Sequence, residues 1–394
     1  MKAQERDEQD KETKPELADV FRLYGGDYKA KHKVTEEQSL AMWCIEHCRT
    51  EKLGGHSYQC DGCGHTQVSY NSCRNRHCPK CGSVAKAEWL LAREAELLPC
   101  EYFHAVFTLD HVLNGVIAFN KTAMYEMLFE TAAQTLKACG ELYLGGQIGV
   151  VATLHTWGQD LGLHAHVHCI VTGGALSADG TQWQASPAGF LMPVLPMSVM
   201  FRERFCAAFS KAVRKQKVVI PASSPDVESL LETLQGKDWN VYVTPAHGGA
   251  RSVLDYLGRY VQKTAITNAR ILRVGDGEVA FRYHDNKDAG KEKVMRLSAD
   301  AFITRFLQHV LESGFVRVRY FGLFANCWRK KMIAQVRTLL GVVGEVTKRV
   351  YTSAVELLKA VADIDISVCP KCGVGRLVRL DQLAELEIKF HSTA

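Results

Sequence analysis

Seven cysteines between Cys44 and Cys81, half of the fourteen in the chain, constrain the fold more than any other feature of the sequence. They include two Cys-x-x-Cys pairs, Cys60/Cys63 and Cys78/Cys81. That spacing lets one tight turn present two thiolates to a tetrahedral Zn²⁺ at about 2.3 Å. The charged N-terminus lacks the apolar stretch of a secretory signal, and no apolar run approaches the ~20 residues of a membrane span. The expected location is the cytoplasm, with no membrane partner, where thiols stay reduced and open to metal. Cys100, Cys139, Cys169, Cys206 and Cys327 are scattered singly, as small core residues would be.

A structural zinc is therefore expected on Cys60, Cys63, Cys78 and Cys81. Crossing the neighbouring pairs Cys48/His56 and Cys73/His77 would give a second zinc site in the same module. Closed four-ligand sites contribute folding energy and leave no open position for chemistry, so the expected use of the module is recognition. Arg74, Arg76 and Lys80, with Tyr70 nearby, are candidates for gripping phosphates and stacking on bases. A net charge of +5 permits an acidic partner without demonstrating one. Cys369-Pro-Lys-Cys372 has no evident second pair, although His391 could contribute, and reads as a partial zinc knuckle.

Residues 1–35 read as a loose charged lead, 36–99 as a zinc-binding domain, 100–325 as an α+β domain, and 326–394 as a C-terminal helical region carrying the knuckle. Within 100–325, short β-type runs at 102–109, 149–157, 165–172 and 239–244 alternate with helical patterns at 116–138 and 196–215. Runs at 271–274 and 278–283 flank Asp276-Gly277 as a hairpin. Such a pattern favours one mostly antiparallel sheet flanked by helices. The chain contains no GxxxxGK[ST] phosphate loop, so an ATP-driven helicase is not built into it.

His164, His166 and His168 alternate along one run and project from one strand face, a natural site for a divalent metal. His155, Gln159 and Asp160, on the preceding segment, are each able to complete the ligand set. Tyr256 and Tyr260 lie one turn apart beside an apolar stripe of Val253, Leu254, Leu257 and Val261, with Arg259 and Lys263 each three positions after a tyrosine. A tyrosine pair at this spacing is ordinary on an amphipathic helix, and its weight comes from the histidines. A phenol can act as a covalent nucleophile on a phosphodiester if Mg²⁺ or Mn²⁺ neutralises the non-bridging oxygens.

Five ordered motifs now stand together. They are Cys48-Arg-Thr through Ser72-Cys73-Arg-Asn-Arg-His77-Cys78-Pro-Lys-Cys81, Tyr102-Phe-His-Ala-Val-Phe-Thr-Leu, Leu154-His-Thr-Trp-Gly-Gln with His166-Val-His168, Tyr256-Leu-Gly-Arg-Tyr260, and Phe315-Val-Arg-Val-Arg-Tyr. From about residue 40 to 330 the chain resembles the insertion-sequence-91 family of transposases, within the HUH (histidine, hydrophobic, histidine) endonucleases.

The resemblance implies an HUH palm with the metal-binding pair at His166 and His168, Gln159 completing the shell, and Tyr256 and Tyr260 as nucleophiles. It also implies rolling-circle transposition, in which single-stranded DNA at element ends is cut and rejoined through 5′-phosphotyrosine intermediates. Arg259 and Lys263 would bind that DNA, and a host helicase is the expected partner. A plasmid-type rolling-circle replication or mobilisation relaxase would use the same chemistry, whereas a non-catalytic zinc-finger DNA-binding protein would form no covalent complex.

Overall fold

The computed structural model describes residues 14–94, 96–246, 258, 263–342, 356, 359 and 365–383. The fold is a mixed α+β arrangement of antiparallel sheets flanked by helices, as the alternation of strand-like and helical runs predicts. None of the helices described is long and apolar enough to cross a membrane.

The first helix, Leu17–Lys31, corrects the expectation of a loose lead. Leu17, Val20, Phe21 and Tyr28 recur at helical spacing and are buried. They pack with Met42 and Ile45 of the Glu36–His47 helix and with Phe302 and Phe306 of the Ala299–Leu307 helix. A capping box at Thr35, in which Thr35 and Gln38 bond each other's backbone, starts the second helix. Strands β1 (Gly55–Cys60) and β2 (Thr66–Tyr70) then form a hairpin, with Gly55 opposite Tyr70 and Gln59 opposite Thr66.

The central sheet has five antiparallel strands. β3 is Tyr102–Thr108, and β4 (Gly146–Gln147) is a short strand outside this sheet. β5 is Gly149–Trp157 and β6 Leu163–Thr172. β7 (Gly174–Ser177) and β8 (Trp183–Ala185) make a small sheet with β4. β9 is Val241–Pro245. β10 (Ile271–Gly275), β11 (Glu278–Asp285) and β12 (Lys291–Ser298) form a meander, and β13 is Val318–Gly322. The central order is β13-β5-β6-β3-β9, which places β6 in the middle.

Alternation along the strands decides which face is core. Phe103, Ala105 and Phe107 of β3, Val150, Ala152 and Leu154 of β5, and Val167, Cys169 and Val171 of β6 share one buried cluster. Leu128, Phe129 and Leu136 from the Lys121–Leu144 helix and Phe201, Phe205 and Phe209 from the Val194–Arg214 helix cover them. On the opposite face, Tyr102, Val151 and Ile170 pack under Ile333 and Val336 of the Arg329–Leu339 helix. His104, His155, His166 and His168 lie on that same face.

The C-terminal region also departs from expectation. After the Arg329–Leu339 helix, its final described element is a strand, β14 (Leu377–Leu383). β14 pairs antiparallel with β1, so strands more than 300 residues apart meet in one three-stranded sheet, β14-β1-β2.

Candidate metal centres

The cysteines form two tetrads that differ from those expected from spacing. Cys48, Cys73, Cys78 and Cys81 converge in one, and Cys60, Cys63, Cys369 and Cys372 in the other, with the sulfurs of each tetrad within 4.8 Å of one another. The expected partnership of Cys60/Cys63 with Cys78/Cys81 is therefore not formed. The cause is the β1–β2 hairpin, which has Cys48 and Cys73 at its base and Cys60 and Cys63 at its tip. Its five paired positions extend roughly 17 Å at about 3.4 Å per residue, far beyond the span of one ion's ligands.

His56 and His77 join neither group. The His56 ring meets Tyr58 edge-on, 6.5 Å between centroids. His77 is buried with its Nε2 facing the Leu311 amide at 3.5 Å, and burial pushes its pKa down to about 3, with Arg76 adding to the shift. A closed set of four thiolates such as Cys48, Cys73, Cys78 and Cys81 is the donor set of structural zinc.

The basic residues of the module serve mixed ends. Arg76 donates to the carbonyls of Phe315 and Glu312 at 2.7 Å each, and to that of Leu311 at 3.4 Å, tying the module to the segment before β13. Lys80 is ion-paired with Glu16. Arg74 is exposed, with its backbone in the left-handed region at φ 53°.

The third cluster is imidazole. His155 of β5 stands opposite His166 of β6, and His155, His166 and His168 bring one nitrogen each into a common group. His166 Nδ1 lies 2.8 Å from the His164 carbonyl, to which only an N–H can donate, so its Nε2 keeps the lone pair. That Nε2 faces His168 Nε2 at 3.1 Å, while His168 Nδ1 lies 2.8 Å from His104 Nε2 on β3. Two nitrogens at right angles on arms of about 2.1 Å stand about 3 Å apart, so this donor pair fits adjacent positions on one divalent cation.

Burial holds these rings neutral. It pushes His166 down to about 3 and His104 to about 4, and lowers His168 further, with positive character on neighbouring histidines and on Lys263 adding to it at His166 and His168. Neutral imidazole is the metal-binding form. The sheet thus supplies the third nitrogen from His155, while Gln159 lies in the β5–β6 turn with its main-chain carbonyl bound by Arg270. His164 shares the strand face, its ring centroid 5.0 Å from that of His166, outside the three-nitrogen group.

Lys263 lies beside this site. Its carbonyl accepts from Arg317 at 2.5 Å, and Arg317 stacks on Trp157, which in turn stacks on His155 at 4.8 Å. Burial pushes Arg317 down to about 10, and burial followed by Arg270 lowers Lys263. Tyr256, Arg259 and Tyr260 lie outside the described residues, as does His391.

Residues 149–331 match the family described as "Putative transposase", a span that opens at the first residue of β5 and encloses all three histidines. Residues 20–109 match the family described as "Transposase zinc-binding domain". Among curated proteins, the chain is 41% identical over 383 residues to "Putative transposase y4qJ" of Sinorhizobium fredii, covering 93% of this chain and 95% of that one. It is 28% identical over 349 residues to the transposase for insertion sequence element IS801 of Pseudomonas savastanoi pv. phaseolicola, covering 87% and 83% respectively. No solved structure matches it.

Proposed function

Since this chain belongs to the insertion-sequence-91 family of transposases, we propose that it cuts and rejoins single-stranded DNA at the ends of its element through 5′-phosphotyrosine intermediates. The observation that carries the reading is the pair of imidazole nitrogens 3.1 Å apart, with His155 beside them and the outer nitrogens already hydrogen-bonded. His155, His166 and His168 would hold a divalent cation, with Gln159 as a candidate for a further position. When bound, the cation supplies positive charge to the non-bridging oxygens of the scissile phosphate. Three nitrogen donors favour Mn²⁺ over the harder Mg²⁺.

Tyr256 or Tyr260 would attack phosphorus through its phenol oxygen. The phosphorus–O3′ bond breaks, and the departing oxygen takes up, by way of solvent, the proton the phenol gives up, and becomes a 3′-hydroxyl. That hydroxyl can later attack a second phosphotyrosine and release the phenol, so phosphodiester bonds are exchanged without an external energy source. The separation of Lys263 from Tyr260 suits that tyrosine as a nucleophile. Lys263 acts electrostatically on His166 and His168, and it follows Tyr260 by three residues, a stretch that spans at most about 11 Å. Lys263 and Arg259 would hold the DNA backbone, and a host helicase would supply the strand separation for which the chain has no nucleotide loop.

The test is a denaturing gel of the full chain with single-stranded end oligonucleotides. A covalent adduct should appear with Mn²⁺, more weakly with Mg²⁺, and vanish in His166→Ala and in the Tyr256→Phe/Tyr260→Phe double variant. An adduct that survives in the double variant removes these phenols as nucleophiles.

A further inference from the structure

Cys60-Asp-Gly-Cys63-Gly64 and Cys369-Pro-Lys-Cys372-Gly373 are two copies of one turn, more than 300 residues apart. In each, the glycine amide donates to the carbonyl of the first cysteine, at 3.0 Å from Gly64 and 2.9 Å from Gly373. In each, that glycine has φ near +70°, a value L side chains rarely adopt. The turns face each other, with Cys60 Sγ 3.7 Å from Cys372 Sγ and Cys63 Sγ 3.8 Å from Cys369 Sγ. Tetrahedral arms of about 2.3 Å set sulfurs about 3.8 Å apart, whereas a disulfide would bring them to about 2.05 Å.

The surroundings suit thiolates. The Cys63 amide donates to Cys60 Sγ at 3.4 Å and the Gly375 amide to Cys372 Sγ at 3.2 Å. A Cβ at Gly375 would stand 2.4 Å from Cys60 Sγ, so the position has room only for glycine. Beside the turns, the Asp61 amide donates to the Arg376 carbonyl at 3.0 Å and the Arg376 amide to Asp61 Oδ1 at 2.7 Å. β14 then continues along β1, from Cys60 opposite Leu377 to Gly55 opposite Leu383.

We propose that Cys60, Cys63, Cys369 and Cys372 bind a second zinc ion, distinct from one on Cys48, Cys73, Cys78 and Cys81, and that it clasps the C-terminal strand to the N-terminal module. The zinc-binding family match ends at residue 109, so it takes in only half of these ligands. The two tetrads then act as two independent zinc sites, one at each end of the β1–β2 hairpin. This inference stands apart from the DNA-cleavage reading and needs no active enzyme for its test.

The experiment is elemental analysis of the purified full chain after removal of loosely held metal. Wild type should carry two zinc ions, and Cys369→Ser/Cys372→Ser one. Cys372→His keeps four donors and should restore the second ion. After cobalt exchange it should also move the visible absorption bands to higher energy than in wild type. A wild-type chain with a single zinc that Cys369→Ser/Cys372→Ser leaves unchanged would overturn the proposal.

Discussion

The thiolate clusters and the imidazole cluster assemble their ligands by different means. Cys48, Cys73, Cys78 and Cys81 come from a helix end and an irregular loop, whereas His155, His166 and His168 come from adjacent strands locked in register on a sheet whose other face is core. A loop has little to hold its sulfurs together until an ion does, so metal binding and folding are coupled there. A paired strand presents its nitrogens whether or not an ion is present, and three nitrogens leave coordination positions open for substrate oxygens. The first arrangement makes stability depend on metal. In the function proposed above, the second makes chemistry depend on it.

The largest effect expected from this contrast is at Cys48. Serine there should remove the base zinc and unfold the module, because structural zinc contributes on the order of 10 kcal/mol in small zinc domains. The loss should appear as a lower melting temperature and as proteolysis within residues 36–99. A Cys48→Ser chain that melts like wild type would break the contrast.

Next comes His166→Ala, for which we expect a fall in the adduct-forming rate of roughly a thousandfold with little change in melting temperature, the reverse of Cys48→Ser. His104→Ala tests the support behind the ligands. Loss of the partner at His168 Nδ1 should raise the Mn²⁺ concentration for half-maximal adduct by about 10- to 100-fold, with the rate at saturating Mn²⁺ largely restored.

The smallest effect concerns pH. His309 is buried between Thr156 and the Leu161 carbonyl, and burial holds it down at about 4. Its unfolded pKa of about 6.5 is higher, so the unfolded chain binds the extra proton as pH falls. The stability from this neutral ring is complete above pH 6.5 and is lost progressively toward pH 4, by about 2 kcal/mol at pH 5. Chemical denaturation at pH 7 and pH 5 should show a smaller difference in His309→Gln than in wild type.

Local patterns were readable where neighbours in sequence are neighbours in space. The alternation His164-Ala-His166-Val-His168 predicts one strand face, and the β-type run at 149–157 coincides with β5. His155 could have been singled out from the other candidates. In a symmetric hairpin turning at residues 160 and 161, position 155 falls opposite 166, as the register has it. The zinc pairing was harder, because Cys-x-x-Cys spacing carries no information about what lies between pairs, and here a hairpin lies between them. The first helix was masked by the charge of the residues before it, although its stripe from Leu17 to Tyr28 was in view. For Cys369 and Cys372 the Cys-x-x-Cys spacing marks a partial knuckle, but nothing local points to their partners Cys60 and Cys63, more than 300 residues away.

The β1–β14 pairing has a consequence for synthesis. A ribosome adding about 5–20 residues per second exposes β1 roughly 15 to 60 s before β14 has been made. Through that interval the outer edge of β1 offers its amides and carbonyls to any extended neighbour, and nascent chains on one messenger are the nearest supply. Crowding on the polysome is thus a hazard for this protein that slower initiation would relieve.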